Sequence, residues 1–129
     1  MRKILIAEDN TELNDMMRNY LIKAGHTVYQ AFNGAQALEY ARSMQPDLVL
    51  LDIMVPVVDG YEVCRSLRRE YSIPVIVVSA IVGEDEKPRM FELGADDYMT
   101  KPFSFKEMVG RVNAQLRRYY EFNTQEKSE

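Results

Sequence analysis

The stretch Asp47-Leu48-Val49-Leu50-Leu51-Asp52-Ile53-Met54 decides the reading of this chain. Leu48 to Leu51 are apolar without interruption, so neither face of the strand they form is meant for water. Such a strand belongs inside a parallel sheet that is covered by helices on both sides. Val75-Ile76-Val77-Val78 repeats the pattern. Working outward, Ile4 to Ala7, Val28 to Ala31 and Tyr98 to Met99 are further short runs, and the five runs together are mostly β-branched or aromatic. Longer segments of helical period separate these runs, which predicts five βα units.

The intervening segments carry helix signals. Leu13, Met17, Tyr20, Leu21 and Ala24 share one face of a first helix, with Asn10 or Thr11 to cap its start and Gly25 to stop it. The second helix, about Ala35 to Met44, follows an Asn33-Gly34 turn and is alanine-rich, suiting close packing on the sheet. The third begins near Gly60 and ends by Tyr71, and Phe105, Met108, Val109, Val112, Leu116 and Tyr119 form the stripe of the last. Strand two, Thr27-Val28-Tyr29-Gln30-Ala31, is more polar and suits an edge. The fold class expected is α/β, a flavodoxin-like (βα)5 doubly wound parallel sheet with strand order 2-1-3-4-5.

Length and composition bound the rest. At 129 residues and 15.0 kDa the chain fits one domain, expected over 1–120. The polar stretch 121–129 reads as a linker or frayed tail. A hydrophobic fraction of 47% with 28% charged residues is ordinary for a globular protein. The net charge of −4 opposes sequence-independent attraction to nucleic acid or anionic lipid. Cys64 stands alone, which excludes an internal disulfide and fits a reducing compartment. No apolar run approaches membrane-spanning length and Met1-Arg2-Lys3 leads into no signal peptide, so no membrane association and a cytoplasmic location are expected. His26 and Cys64 are too few and too far apart for zinc.

Polar residues collect where the strands end. Glu8 and Asp9 follow the first strand, Asp52 the third, Ser79 the fourth and Lys101 the fifth. In the order 2-1-3-4-5 the first and third strands are neighbours, so the three acids converge on one rim, flanked by Ser79 and Lys101. Two unit charges about 4 Å apart repel by roughly 4 kcal/mol at an effective dielectric near 20. Lys101 answers part of that charge, and Mg²⁺, which takes oxygen ligands and is held by one or two carboxylates together with phosphate oxygens, answers the remainder. A phosphoryl group entering the pocket would meet a metal, an ammonium and a hydroxyl, the set that stabilises phosphoryl transfer. Asp52 ends the most apolar strand and is the nucleophile expected to become an aspartyl phosphate. Singly, each residue has a plainer reading: Asp9 and Asn10 as a helix cap, Asp52 as a turn acid, Ser79 as a cap, Lys101 as a surface ion-pair partner. Their joint placement favours the functional one.

Over its length to about Tyr120 the chain resembles the receiver domain of two-component response regulators. The matching segments are Ile4 to Asn10, Asp47 to Met54, Pro56 with Asp59-Gly60, Ser79-Ala80, Gly94-Ala95-Asp96-Asp97-Tyr98 and Lys101-Pro102-Phe103. The resemblance implies that Asp52 accepts a phosphoryl group from a sensor histidine kinase or a small phosphodonor. It implies that Asp9, Asp52 and the backbone carbonyl of Met54 ligate Mg²⁺ with Glu8 acting through water, and that Lys101 and Ser79 contact phosphoryl oxygens. Ser79 and Tyr98 would form the switch, Tyr98 turning inward as Ser79 moves, and Lys101-Pro102 would be cis. The likeness is to OmpR/PhoB-type regulators, in which charges on the fourth helix, fifth strand and fifth helix form a phosphorylation-promoted dimer. Lys87, Asp96, Asp97, Glu107, Arg111, Arg117 and Arg118 stand at those positions, their plainer reading being a solvated charged surface. A C-terminal DNA-binding domain controlling transcription would follow Glu129.

Pro88 departs from the pattern, since proline is tolerated only near a helix start. A late start for the fourth helix, a mobile loop over Ile81 to Glu86, and a Lys87 off the helix are the expectations. Met54 and Ile81, two places after Asp52 and Ser79, offer no group to orient an attacking water, so slow self-dephosphorylation is expected. Two other classes stay open. An aspartyl-phosphate hydrolase would carry a second acid where Met54 stands. A phosphorylation-independent interaction module would not need the intact rim.

Overall fold

Each apolar run becomes a strand, and each periodic segment a helix. In the computed structural model, which describes residues 2–81 and 83–121, the order is β1 (Lys3–Ala7), α1 (Thr11–Lys23), β2 (Thr27–Ala31), α2 (Gly34–Met44), β3 (Leu48–Asp52), α3 (Gly60–Glu70), β4 (Val75–Ser79), α4 (Glu86–Glu92), β5 (Asp97–Thr100) and α5 (Phe105–Leu116). A single wide turn, Arg117–Glu121, follows. All strand pairs are parallel, in the order β2-β1-β3-β4-β5, the doubly wound arrangement expected. The polar β2 lies on an edge.

Alternation along the central strands divides the interior in two. Val49, Leu51, Val75 and Val77 face a core with Ala37, Val63 and Leu67 of α2 and α3. Leu48, Leu50, Ile76 and Val78 face one with Met17 and Leu21 of α1 and Met108 and Val112 of α5. This is why β3 and β4 are apolar at every position: each face has its own helices to meet. Register then fixes the rim. Ala7 lies opposite Leu51, Asp52 opposite Val78, and Ser79 opposite Thr100, so the residues just past each strand emerge side by side.

The helix starts are set by side-chain caps. Asn10, Asn33, Asp59 and Ser104 each accept a hydrogen bond from a backbone N–H of the first turn. Gly25, at φ 99°, ends the turn after α1 in the left-handed region that a side chain would oppose. Lys101-Pro102 is cis, as the resemblance implies.

Several expectations need correction. Helix α4 does not start late: it begins at Glu86, with Pro88 as its third residue, where the missing N–H is one of those a helix leaves unpaired anyway. Lys87 is therefore on the helix, and exposed. Tyr20, expected on the buried face of α1, is half exposed and stacks on Phe105 at 4.6 Å. Tyr119 lies beyond α5, where its hydroxyl meets Ser72 at 2.6 Å. Tyr120 donates to the Asp47 carbonyl at 2.8 Å, under the Arg2 guanidinium. His26 meets Asn113 at 2.9 Å, a structural contact. Among the described residues no helix is long and apolar enough to cross a membrane. Apart from Glu121, the stretch expected to be a linker lies outside the described residues, as does Val82 of the loop before α4.

Candidate functional site

Three carboxylates and one ammonium meet where β1, β3 and β5 end. Ligand oxygens of Glu8, Asp9 and Asp52 lie within 4.8 Å of one another. Lys101 reaches in from beyond β5, and its Nζ donates to Glu8 Oε1 and to Asp52 Oδ2, each at 2.7 Å. Glu8 and Asp52 are 2% and 4% exposed, whereas Asp9 faces solvent. One ammonium against three acids, two of them buried, leaves an excess of negative charge.

The loop geometry aims these groups. The Asn10 N–H donates to Glu8 Oε2 at 2.9 Å, and the Met54 N–H to Asp52 Oδ1 at 2.9 Å. Each buried acid is thus held between a backbone amide and Lys101, leaving little rotational freedom. Asn14 contributes what the sequence reading missed. Fully buried on α1, it donates to the carbonyls of Glu8 and Ala31 at 2.9 and 3.1 Å, tying the acidic loop to the sheet edge. Its signal was its position: it precedes Met17 by three and Leu21 by seven on the apolar face of α1, where a polar side chain must have a partner.

Electrostatics follow from burial. Desolvation, then the hydrogen bond with Asp52, raises the Glu8 pKa from 4.5 to about 7, against the lowering effect of Lys101. Burial works against the Lys101 ammonium too, but its bonds to Asp52 and Glu8 outweigh that and hold its pKa above the ordinary lysine value. The donors are all hard oxygens with surplus charge between them, which fits Mg²⁺ and not a soft metal.

Ser79 ends β4, one residue past the partner of Asp52, and is fully buried; its Oγ accepts from the Ile81 N–H at 3.0 Å. Tyr98 on β5 points inward, 5% exposed, with its hydroxyl 3.4 Å from the Ile81 carbonyl. Both switch candidates thus meet at Ile81. Met54 stands at the mouth, 61% exposed. The charged residues expected at a dimer face are separated from this pocket. Arg111 holds Asp97 with two bonds at 2.9 and 3.1 Å and Glu107 at 3.1 Å, all within one chain. Asp96 is turned toward α3, its Oδ2 accepting from Arg68 at 2.6 Å and from the Val75 N–H at 2.8 Å. Lys87, Arg117 and Arg118 are exposed.

Comparison with known proteins agrees with this geometry. The family model described as response regulator receiver domain matches residues 4–113. The receiver domain of Francisella response regulator 1452 is 32% identical, with a TM-score of 0.88 over 92% of this chain and 98% of that one. The BeF3-activated N-terminal receiver domain of Klebsiella pneumoniae RstA is 33% identical, with a TM-score of 0.85 over 89% and 98%. A two-component response regulator from Clostridium difficile is 26% identical, with a TM-score of 0.89 over 93% and 99%. With Lys101 bonded to Glu8 and Asp52, Asp9 beside them, and a family match over most of its length, the chain belongs to the receiver domains of two-component response regulators.

Proposed function

We propose that this receiver domain is a phosphorylation switch that takes a phosphoryl group onto Asp52 from a sensor histidine kinase. The observation that carries it is the Lys101 ammonium bridging the buried Glu8 and Asp52 carboxylates at the end of the most apolar strand. In the reaction an Asp52 oxygen forms a bond to phosphorus while the bond from phosphorus to the donor's imidazole nitrogen breaks, and the nitrogen keeps the electron pair. Lys101 is placed to neutralise a phosphoryl oxygen, and the Ser79 hydroxyl to donate to another once it turns from Ile81. Glu8, Asp9, Asp52 and the Met54 carbonyl are the groups to hold Mg²⁺, which when bound supplies the positive charge that lets phosphate enter an acidic pocket. The chain promotes its own phosphorylation and dephosphorylation, and is not otherwise an enzyme.

Incubation with acetyl phosphate and Mg²⁺, followed by intact-mass measurement, tests this. A stable adduct of one phosphoryl group, absent in Asp52→Asn, is expected. No adduct overturns the reading, and acetyl phosphate consumption without an adduct turns it toward a hydrolase. The side chains of Met54 and Ile81 have no group to orient an attacking water, so the adduct is expected to persist. Met54→Asn, adding an amide that orients water, shortens its half-life, and an unchanged decay of label counts against that role.

The output follows from the switch pair. Phosphate favours the state in which Ser79 is close, and Tyr98 under Ile81 carries that preference to the face of α4, β5 and α5. That face is proposed to form a two-fold dimer on phosphorylation. The Klebsiella relative is described as an N-terminal receiver domain, which fits an output domain after this one; a DNA-binding domain with transcription as the output, acting in the cytoplasm, is the reading proposed for it.

A further inference from the structure

Helix α4 is held by less than its neighbours are. It has seven residues, below the length at which a helix is stable by itself. Its N-cap, Asp85, makes no side-chain cap bond, and only Glu86 and Met90 are buried. Met90 enters the core under α3, but Glu86 is a carboxylate, costly to bury without a partner. The partner comes from α3: the Tyr61 hydroxyl donates to Glu86 Oε1 at 2.8 Å. One turn on, the Arg89 guanidinium covers the Tyr61 ring at 3.9 Å from its centre. Tyr61 is thus gripped at hydroxyl and ring by two residues of one short helix.

The base of Tyr61 is fixed with respect to the phosphoacceptor. Gly60 donates its N–H to the Ile53 carbonyl at 3.1 Å, and a Cβ there would stand 2.4 Å from the Ile53 Cα. The start of α3 therefore sits directly on the residue that follows Asp52. Tyr61 also packs in the same core as Tyr98 and Ile81. Two arms leave the acceptor: one through Ser79, Ile81 and Tyr98 reaches the core that Met90 of α4 enters, and the other through Ile53, Gly60 and Tyr61 ends on Glu86 and Arg89 of α4.

We propose that Tyr61 is a positioning residue for the switch helix: through Glu86 and Arg89 it clasps the start of α4 to α3, so the response of α4 to the acceptor depends on it while phosphoryl acceptance does not. The clasp itself is a property of the unmodified chain; its part in signalling rests on the switch reading above.

Hydrogen–deuterium exchange of the α4 amides tests it in the intact chain, free and with beryllofluoride and Mg²⁺. In the free protein Tyr61→Phe, which removes only the hydroxyl, and Glu86→Ala are expected to speed α4 exchange by roughly tenfold, with β3 and β4 unaltered. Glu86→Gln keeps an acceptor oxygen and retains wild-type protection, and Tyr61→Phe with Glu86→Ala loosens α4 no more than either alone. The rate of Asp52 labelling by acetyl phosphate stays at the wild-type value in Tyr61→Phe, while the change in α4 protection on adding beryllofluoride shrinks. Wild-type α4 exchange in Tyr61→Phe overturns the clasp, as does a Glu86→Gln variant as loose as Glu86→Ala. A change on beryllofluoride as large in Tyr61→Phe as in wild type overturns the clasp's part in the response. Wild-type protein that takes up no label refutes the switch reading and leaves the clasp to be judged on the free protein. Should Tyr61→Phe fail to fold, Arg89→Met gives the same reading through the ring contact.

Discussion

A buried glutamate beside an aspartate and one lysine can shed excess charge by taking a proton or by sharing a cation. Glu8, with its pKa raised from 4.5 to about 7, takes the proton when no metal is bound. Between those values the folded chain binds a proton that the unfolded chain has released, so stability falls as pH rises through that window. In EDTA the urea midpoint should therefore be higher near about pH 5 than near about pH 8. In Glu8→Gln, which has no charge to bury, the slope should be flatter. Mg²⁺ competes with that proton, so its stabilising effect should grow with pH. A Glu8→Gln slope equal to that of wild type would sink this account. Glu8, Asp9, Asp52 and Lys101 were legible because each follows an apolar run, and an acid there has nowhere to go but the rim. The pairing of Asp96 with Arg68, 28 residues away, was not legible, because nothing local in the sequence joins them.

Turns and helix starts carry the strain that the central strands do not. In the loop between β3 and α3 the Val58 N–H donates to the Pro56 carbonyl at 3.0 Å, closing a γ-turn with Val57 at φ 76°. This is the rarer, strained hand of that turn, and a β-branched residue suits it badly. The Gly34 N–H donates to the same carbonyl at 3.0 Å, so the loop cannot relax without losing its tie to α2. Val57 is 78% exposed and gains almost nothing from burial. Val57→Gly should raise stability by about 1 kcal/mol, the relief of strain exceeding the entropy that glycine brings to the unfolded chain. A higher urea midpoint at unchanged slope would show it; a lower one would mean that the valine is not strained. Element order and strand identity could be read from apolar runs, because burial on two faces writes itself into every position of β3 and β4. The turn hand at Val57 and the early start of α4 at Glu86 could not. One depends on a tie to a distant glycine, the other on a tyrosine in another helix, and both override local preference.

At the scale of the molecule, a rigid sheet with filled cores on both faces leaves only its rim and one lateral face to change. The lateral face pairs its charges internally: Arg111 with Asp97 and Glu107. Lys87 stands exposed on α4. Exposed pairs are each worth little and are screened by salt, so they do not hold the monomer together. In the two-fold dimer proposed above the same charges would become complementary, each contact occurring twice, and their value would shift from stability to orientation. With beryllofluoride and Mg²⁺ the chain should dimerise, and more weakly as salt rises. Glu107→Lys should cost at least about tenfold in dimer affinity by setting like charge against Lys87 of the second copy. Adding Lys87→Glu to it should restore much of the loss, since the exchange recreates the pair with reversed sign. Sedimentation velocity over a protein concentration series reads all three states. Equal dimerisation in wild type and Glu107→Lys would place the interface elsewhere. A double variant as impaired as the single one would show that Glu107 acts by holding Arg111 within its own chain.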